Sequence, residues 1–114
     1  MPPIPFSASY HLKANPGVKS RAVICTVPEG HRLVIDEMVI AWPTNTYGEL
    51  KVRLLQGEMP VIPSTGWATG DNAVVRYTGY GEYGSGAKVQ VAFENTSTTD
   101  VHECFIVIRG VLEG

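Results

Sequence analysis

The chain has 114 residues, of which 44% are hydrophobic and 18% charged, and its formal net charge is -2. This length suits a single domain with a sizeable core that needs no metal or disulfide support. The near-balance of nine basic and eleven acidic residues argues against a nucleic-acid partner, which would require a basic patch or stripe. No apolar run approaches the roughly eighteen residues of a membrane span, and the N-terminus lacks the features of a secretory signal.

The N-terminal segment is rich in proline. Pro2, Pro3 and Pro5 restrict φ and lack an amide hydrogen, so this stretch favours an extended conformation. We therefore predict that residues 1–9 form an extended arm outside the sheet, and that residues 10–114 form a single β-sandwich domain. Apolar groups on such an arm would seek a partner surface. The alternative is an arm that folds back on its own sandwich.

The rest of the chain alternates between β-type runs and turn signals. The predicted strands cover residues 10–14, 20–27, 31–42, 48–56, 61–62, 71–78, 87–94 and 101–112. The run at 61–62 lies between two prolines, which is typical of an edge strand, and the glycine-rich stretch 79–86 is predicted to be a flexible loop. Regularly spaced strands without a convincing helix predict an all-β, antiparallel β-sandwich, in particular a jelly roll with seven or eight strands.

The long third run, residues 31–42, is apolar on both sides of a period-two pattern. One predicted face carries Glu37 as its single charged exception among Leu33, Ile35, Val39 and Ala41. The other face carries Val34, Met38 and Ile40. Such a strand is expected to be covered on both faces.

Motifs that would carry chemistry are weak in this sequence. Residues 79–84 match G-x-G-x-x-G, but a dinucleotide site needs a helix after this motif. A predicted strand follows the motif here, so a hairpin loop with glycines at positive φ is favoured instead. His102 and Cys104 share a strand face, yet zinc usually needs three or four ligands. Asp36 and Glu37 are adjacent and point to opposite faces, so they form no acid/base pair. We expect no enzyme, no cofactor and no metal.

The two cysteines, Cys25 and Cys104, each lie in an apolar run. The pattern favours two buried thiols, while a disulfide between neighbouring strands stays open. Few cysteines and no signal sequence fit assembly in a reducing cytoplasm.

Aromatic residues in or beside predicted loops are the second feature that indicates a binding surface. Such side chains are enriched at protein interfaces, and they also stack on sugar rings; ordinary loop packing is the alternative. With the arm, they define the candidate partner-binding residues: Pro3, Ile4, Phe6, Tyr10, Trp42, Trp67, Tyr80 and Tyr83.

Residues 26–35, T-V-P-E-G-H-R-L-V-I, resemble a V-P-x-G-x-R/K-L-x-I segment of small phage β-proteins, in which a turn leads into a long second strand. With the apolar last strand, the chain resembles the jelly-roll cement, or decoration, proteins of bacteriophage capsids. The resemblance implies a structural virion protein without catalytic residues. It also implies a homodimer or homotrimer that is assembled in the cytoplasm of a host bacterium and binds the major capsid protein on the capsid exterior.

Two other functions stay open at this point. A carbohydrate-binding β-sandwich module of a phage tail fibre or spike would use Trp67, Tyr80 and Tyr83 as one stacking platform. A small cupin-type metalloenzyme would need histidine and carboxylate ligands, which do not occur at a recognisable spacing.

Overall fold

Eight β-strands make up the fold in the computed structural model, which describes residues 2–114. The strands are β1 (Ile4–Ala14), β2 (Lys19–Thr26), β3 (Arg32–Trp42), β4 (Leu50–Gln56), β5 (Met59–Ile62), β6 (Ala73–Tyr83), β7 (Lys88–Asn95) and β8 (His102–Glu113). The all-β prediction is confirmed, and most strand ends agree with the predicted ones to within two residues. In this part of the chain no helix has the length and apolar character needed to span a membrane.

The strands form two four-stranded sheets, with the orders β1-β8-β3-β6 and β2-β7-β4-β5. All pairs within the sheets are antiparallel. Between consecutive strands of residues 2–114 the chain passes to the other sheet at every connection except the β4–β5 hairpin. This double Greek-key order is that of a jelly roll, so the predicted architecture is confirmed.

The first strand begins much earlier than predicted. β1 pairs with β8 along its whole length, from Ile4 opposite Leu112 to Ala14 opposite His102. β1 is an edge strand, where Pro5 is tolerated because one side of the backbone needs no ladder partner. Residues 4–9 therefore belong to the sheet rather than to an arm outside it. Met1 lies outside the described residues.

A β-bulge in β3 changes which side chains face the core. The register shifts between Ile35 and Glu37 against both neighbouring strands, and the extra residue reverses the alternation beyond it. Ile35 and Met38 are therefore both fully buried, whereas Val39 lies on the outer face. The predicted grouping of Leu33 with Val39 on one face is wrong for this reason.

Residues 79–83 of the predicted loop are instead the second half of β6, and only residues 84–86 form the turn that leads to β7. Gly79 and Gly81 are glycines because β5 approaches closely, not because φ is positive there. A Cβ on Gly79 would lie 2.4 Å from the carbonyl oxygen of Val61, and one on Gly81 would lie 3.1 Å from the Val61 side chain. Residues 79–83 of the G-x-G-x-x-G match thus lie on a strand that packs against another strand. A dinucleotide site would need a helix after the motif to bind the phosphates, so this site is excluded.

The core fills the space between the two sheets. Its largest fully buried side chains are Leu12, Val27, Leu33, Ile35, Met38, Ile40, Leu50, Val52, Leu54, Ile62, Ile106 and Ile108. Cys104 is buried among them and Cys25 is half-buried, and both thiols are free. The prediction of a buried thiol is confirmed for Cys104 and holds only in part for Cys25.

Candidate functional site

The residues predicted to form the extended apolar arm lie along the edge of the sandwich. Phe6 and Tyr10 point toward the core side of β1 and are half-buried, whereas Ile4 is 48% exposed. Pro3 precedes the strand and is exposed. The alternative of a segment packed back on its own sandwich therefore describes these residues better than a free arm does.

Two of the predicted aromatic contact residues are in the core. Trp42 ends β3 with 3% exposure, and its Nε1 donates to the Tyr77 hydroxyl at 3.3 Å. Tyr83 is 4% exposed, and its hydroxyl donates to the carbonyl oxygen of Leu55 at 2.6 Å. Burial raises the pKa of the Tyr83 hydroxyl well above its ordinary value. Neither side chain is available to a partner on the surface.

The remaining two predicted aromatic residues lie on opposite outer faces. The Trp67 ring is stacked under the Arg53 guanidinium, 4.1 Å from the ring centroid, and Arg53 points outward from β4. Tyr80 is exposed on β6, in the other sheet, where its hydroxyl donates to Glu82. Because Tyr83 is buried between the sheets, the three rings do not form the single stacking platform that a carbohydrate-binding module would need.

An exposed apolar surface that the sequence did not predict lies on the outer face of the β1-β8-β3-β6 sheet. Phe105 is directly opposite Ala41, and Ala41 is directly opposite Val74, so the three form one row across β8, β3 and β6. Val107 and Val39 form the next row. Phe105 is 45% exposed and Val74 is 73% exposed. We call the five residues the outer apolar patch: Val39, Ala41, Val74, Phe105 and Val107.

The outer apolar patch has defined polar limits. On one side, the His11 ring stacks on Phe105 with centroids 4.6 Å apart and an angle of 9° between the planes. Along the strands, Glu37 bridges Arg76 at 3.0 Å and Arg109 at 3.3 Å. A solvated sheet face is normally polar, so a row of apolar side chains bordered by charges is typical of an interaction site.

A second cluster lies at one end of the sandwich, where two loops meet. Glu49 directly precedes β4, Asp100 lies two residues before β8, and His102 is the first residue of β8. Their ligand atoms all lie within 4.8 Å of one another, and Nε2 of His102 is 2.8 Å from Oε1 of Glu49. An open cleft of about 580 Å³, lined in part by Thr44, Asp100 and His102, adjoins the cluster. Imidazole and carboxylate groups are ligands for divalent metals.

The buried thiol is not a candidate nucleophile. Burial raises the pKa of Cys104 to about 12, so the thiol stays protonated near neutral pH. A thiol acts as a nucleophile only as the thiolate. Cys104 therefore serves as a small apolar core residue.

Comparison with known proteins gives a fold but no sequence family. No family model matches the sequence, and neither does any curated protein. A chain from the capsid asymmetric unit of cyanophage Pam1 matches the structure with a TM-score of 0.62 and 9% identity, over 98% of this chain and 86% of that one. A chain from the acid-stable capsid of Helicobacter pylori bacteriophage KHP30 matches with a TM-score of 0.55 and 13% identity, over 97% and 94%.

These two similarities cover nearly the whole chain. At 9% and 13% identity they establish a shared fold and nothing more. A shared fold does not by itself determine function. The resemblance to a jelly-roll protein of phage capsids is confirmed at the level of the fold.

Proposed function

We propose that this protein is a structural component of a bacteriophage virion, namely a cement or decoration protein that binds major capsid subunits on the outside of the shell. The outer apolar patch is the observation that carries the proposal. Its two most exposed members, Phe105 and Val74, lie in one row with Ala41 on a broad sheet face. Two phage capsid chains with the same fold give the setting in which such a face would meet a partner.

The binding free energy expected from one such contact is small, which suits a contact that is repeated many times over a capsid shell. Fully burying a Val or Phe side chain contributes about 1.5–3 kcal/mol, and both side chains are already partly covered. Burial of Phe105 and Val74 together would thus contribute about 2–4 kcal/mol, which is modest for one site. A homodimer or homotrimer that engages several capsid subunits would convert later contacts into intramolecular ones and raise the overall affinity by orders of magnitude.

The proposed binding to several capsid subunits depends on the rigid β-sandwich rather than on a flexible N-terminal arm. The molecule is elongated, with extents of 48 × 23 × 23 Å, and β1 is fixed by its pairing with β8. A rigid body loses little conformational entropy when it binds, which favours affinity. Binding that occurs only on the assembled shell stabilises that shell by linkage.

Co-sedimentation with undecorated shells tests this proposal. The wild-type protein is mixed with shells assembled from candidate phage major capsid proteins and pelleted. We expect it to pellet with its shell, and the double variant Val74→Ser/Phe105→Ser to bind at least about 30-fold more weakly, since about 2 kcal/mol is lost.

Val23→Ser is the matched control. Val23 is 44% exposed, which is close to the value for Phe105, but it lies on the other sheet. This variant should bind as the wild type does. Failure of the wild type to pellet with any shell, or equal loss of binding in the Val23 variant, would refute the proposal.

A further inference from the structure

We propose that Glu49, Asp100 and His102 form a binding site for a divalent transition-metal ion of the zinc class. Glu49 comes from the segment before β4, Asp100 from the loop before β8, and His102 from the first position of β8. The ion would therefore tie together two loops at one end of the jelly roll. This site is separate from the outer apolar patch and does not depend on the proposed function.

The donor atoms lie close enough together that small side-chain shifts would admit a metal ion in place of the hydrogen bond between His102 and Glu49. Zinc binds histidine nitrogen and carboxylate oxygen at about 2.0–2.2 Å in a tetrahedral arrangement, which places neighbouring ligand atoms roughly 3.4 Å apart. Here the pair formed by His102 Nε2 and Glu49 Oε1 is separated by 2.8 Å, and no pair exceeds 4.8 Å. The Asp100 carboxylate is exposed and the Glu49 carboxylate is half-buried, and shifts of about an ångström in both would complete the geometry.

The backbone holds the ligands in place before any ion binds. The carbonyl oxygen of Glu49 accepts hydrogen bonds from both the amide and the hydroxyl of Thr96, each at 2.9 Å. The amide of Asp100 donates to Ser97 Oγ at 2.9 Å, and its carbonyl oxygen accepts from Asn95 Nδ2 at 2.9 Å. His102 itself is only 6% exposed. Binding would thus require little ordering of the chain.

The charge at this cluster is not balanced by a basic side chain. Among residues 2–114, neither Glu49 nor Asp100 forms an ion pair with a lysine or arginine, and the His102 ring is the sole ion-pair partner of Glu49. Glu37, by contrast, is held between Arg76 and Arg109. Two carboxylates that converge on one imidazole create a local negative charge that a divalent cation would neutralise.

The donor set selects the class of metal. Imidazole nitrogen favours zinc and its transition-metal neighbours, whereas calcium and magnesium prefer sites made of oxygen alone. Three protein ligands leave a fourth position for water or for a group from a partner. The adjoining cleft beside Thr44 and Asp100 gives access to that position.

Zinc titration of the purified full-length protein, by calorimetry near neutral pH and without capsids, tests the site. We expect one equivalent of Zn²⁺ to bind with a micromolar or tighter dissociation constant and to raise Tm. Asp100→Asn and Glu49→Gln change accessible carboxylates, so both variants should fold. Each should weaken zinc binding by about tenfold or more, as loss of even an outer-shell partner does in other zinc sites.

His11→Ala is the matched control. His11 Nε2 is 3.1 Å from Glu103 Oε2, so this pair offers a histidine and a carboxylate on the surface without a third ligand. The variant should bind zinc as the wild type does. The proposal fails if zinc does not bind up to about 1 mM, if either carboxylate variant binds as tightly as the wild type, or if His11→Ala abolishes the binding.

Discussion

Gly110 of β8 lies directly opposite Ile35 of β3, at the point where β3 bulges. A Cβ on residue 110 would lie 1.8 Å from the carbonyl oxygen of Val34 and 2.9 Å from the Cα of Ile35. The backbone of β3 thus occupies the space that a side chain at position 110 would fill. Because the bulge directs Val39 and Ala41 outward, this glycine also supports the outer apolar patch.

Gly110→Ala should destabilise the fold. The added methyl group meets backbone atoms, which cannot move away as a flexible side chain could, so we expect a loss of about 1–3 kcal/mol in the free energy of unfolding. Urea denaturation measures it. Gly84→Ala is the control, since a Cβ there has no atom within 4 Å, and its effect should be small. Equal stability of the two variants would contradict the role assigned to Gly110.

The bulge also shows where sequence reasoning about the fold succeeds and where it fails. Alternating runs and turn residues predicted nearly every strand, because burial of one face imposes a period of two. The same periodicity cannot reveal a single inserted residue such as Asp36, which reverses the faces beyond it. The prolines before Ser7 indicated an extended chain, but pairing with β8 depends on residues about a hundred positions away.

Tyr83→Phe should cost about 1–2 kcal/mol of stability. The change removes the hydroxyl that donates to the carbonyl oxygen of Leu55 and leaves that buried acceptor without its partner. Tyr80→Phe is the matched variant, because the Tyr80 hydroxyl bonds an exposed carboxylate of Glu82. Tyr80→Phe should change the unfolding free energy much less than Tyr83→Phe does. Chemical denaturation that ranks the two variants in the opposite order would contradict this assignment.

Stability should fall at alkaline pH because of Cys104. Its folded-state pKa is raised from 9.0 to about 12 by burial, so above about pH 9 the unfolded chain loses a proton that the folded chain keeps. The contribution of the protonated Cys104 thiol to the free energy of unfolding is complete below pH 9. Above that pH it declines by up to about 1.4 kcal/mol per pH unit until the thiol of the folded protein also ionises.

Urea denaturation of the wild type and of Cys104→Ala between pH 8 and pH 10 isolates this effect. The variant is expected to be less stable throughout, because it leaves a cavity, but its stability should decline less steeply above pH 9. Parallel pH profiles of the two proteins would show that the thiol does not titrate as its burial requires.

Glu37→Gln should destabilise the protein by about 1–2 kcal/mol, since Glu37 is only 16% exposed and pairs with both Arg76 and Arg109. Glu58→Gln is the comparison. Glu58 pairs with Arg21 but is 84% exposed, so solvent screens the pair and its loss should change stability much less than Glu37→Gln does. Thermal denaturation at low salt compares them, and a larger effect at Glu58 would contradict the expectation.

The candidate sites were harder to predict than the fold. The positions of the aromatic residues near turns predict surface groups, yet Trp42 and Tyr83 find hydrogen-bond partners inside the sandwich. Phe105 and Val74 become neighbours of Ala41 only through strand pairing. The Glu49 and His102 side chains meet across 53 sequence positions, a contact that no local spacing could indicate.

Electron cryomicroscopy of shells incubated with the protein tests the central proposal most directly. We predict additional density on the outside of the shell that fits the jelly roll, with Val74 and Phe105 against the capsid subunits. Shells without added density, density on the inner surface, or a contact made through the face that carries Trp67 would contradict it.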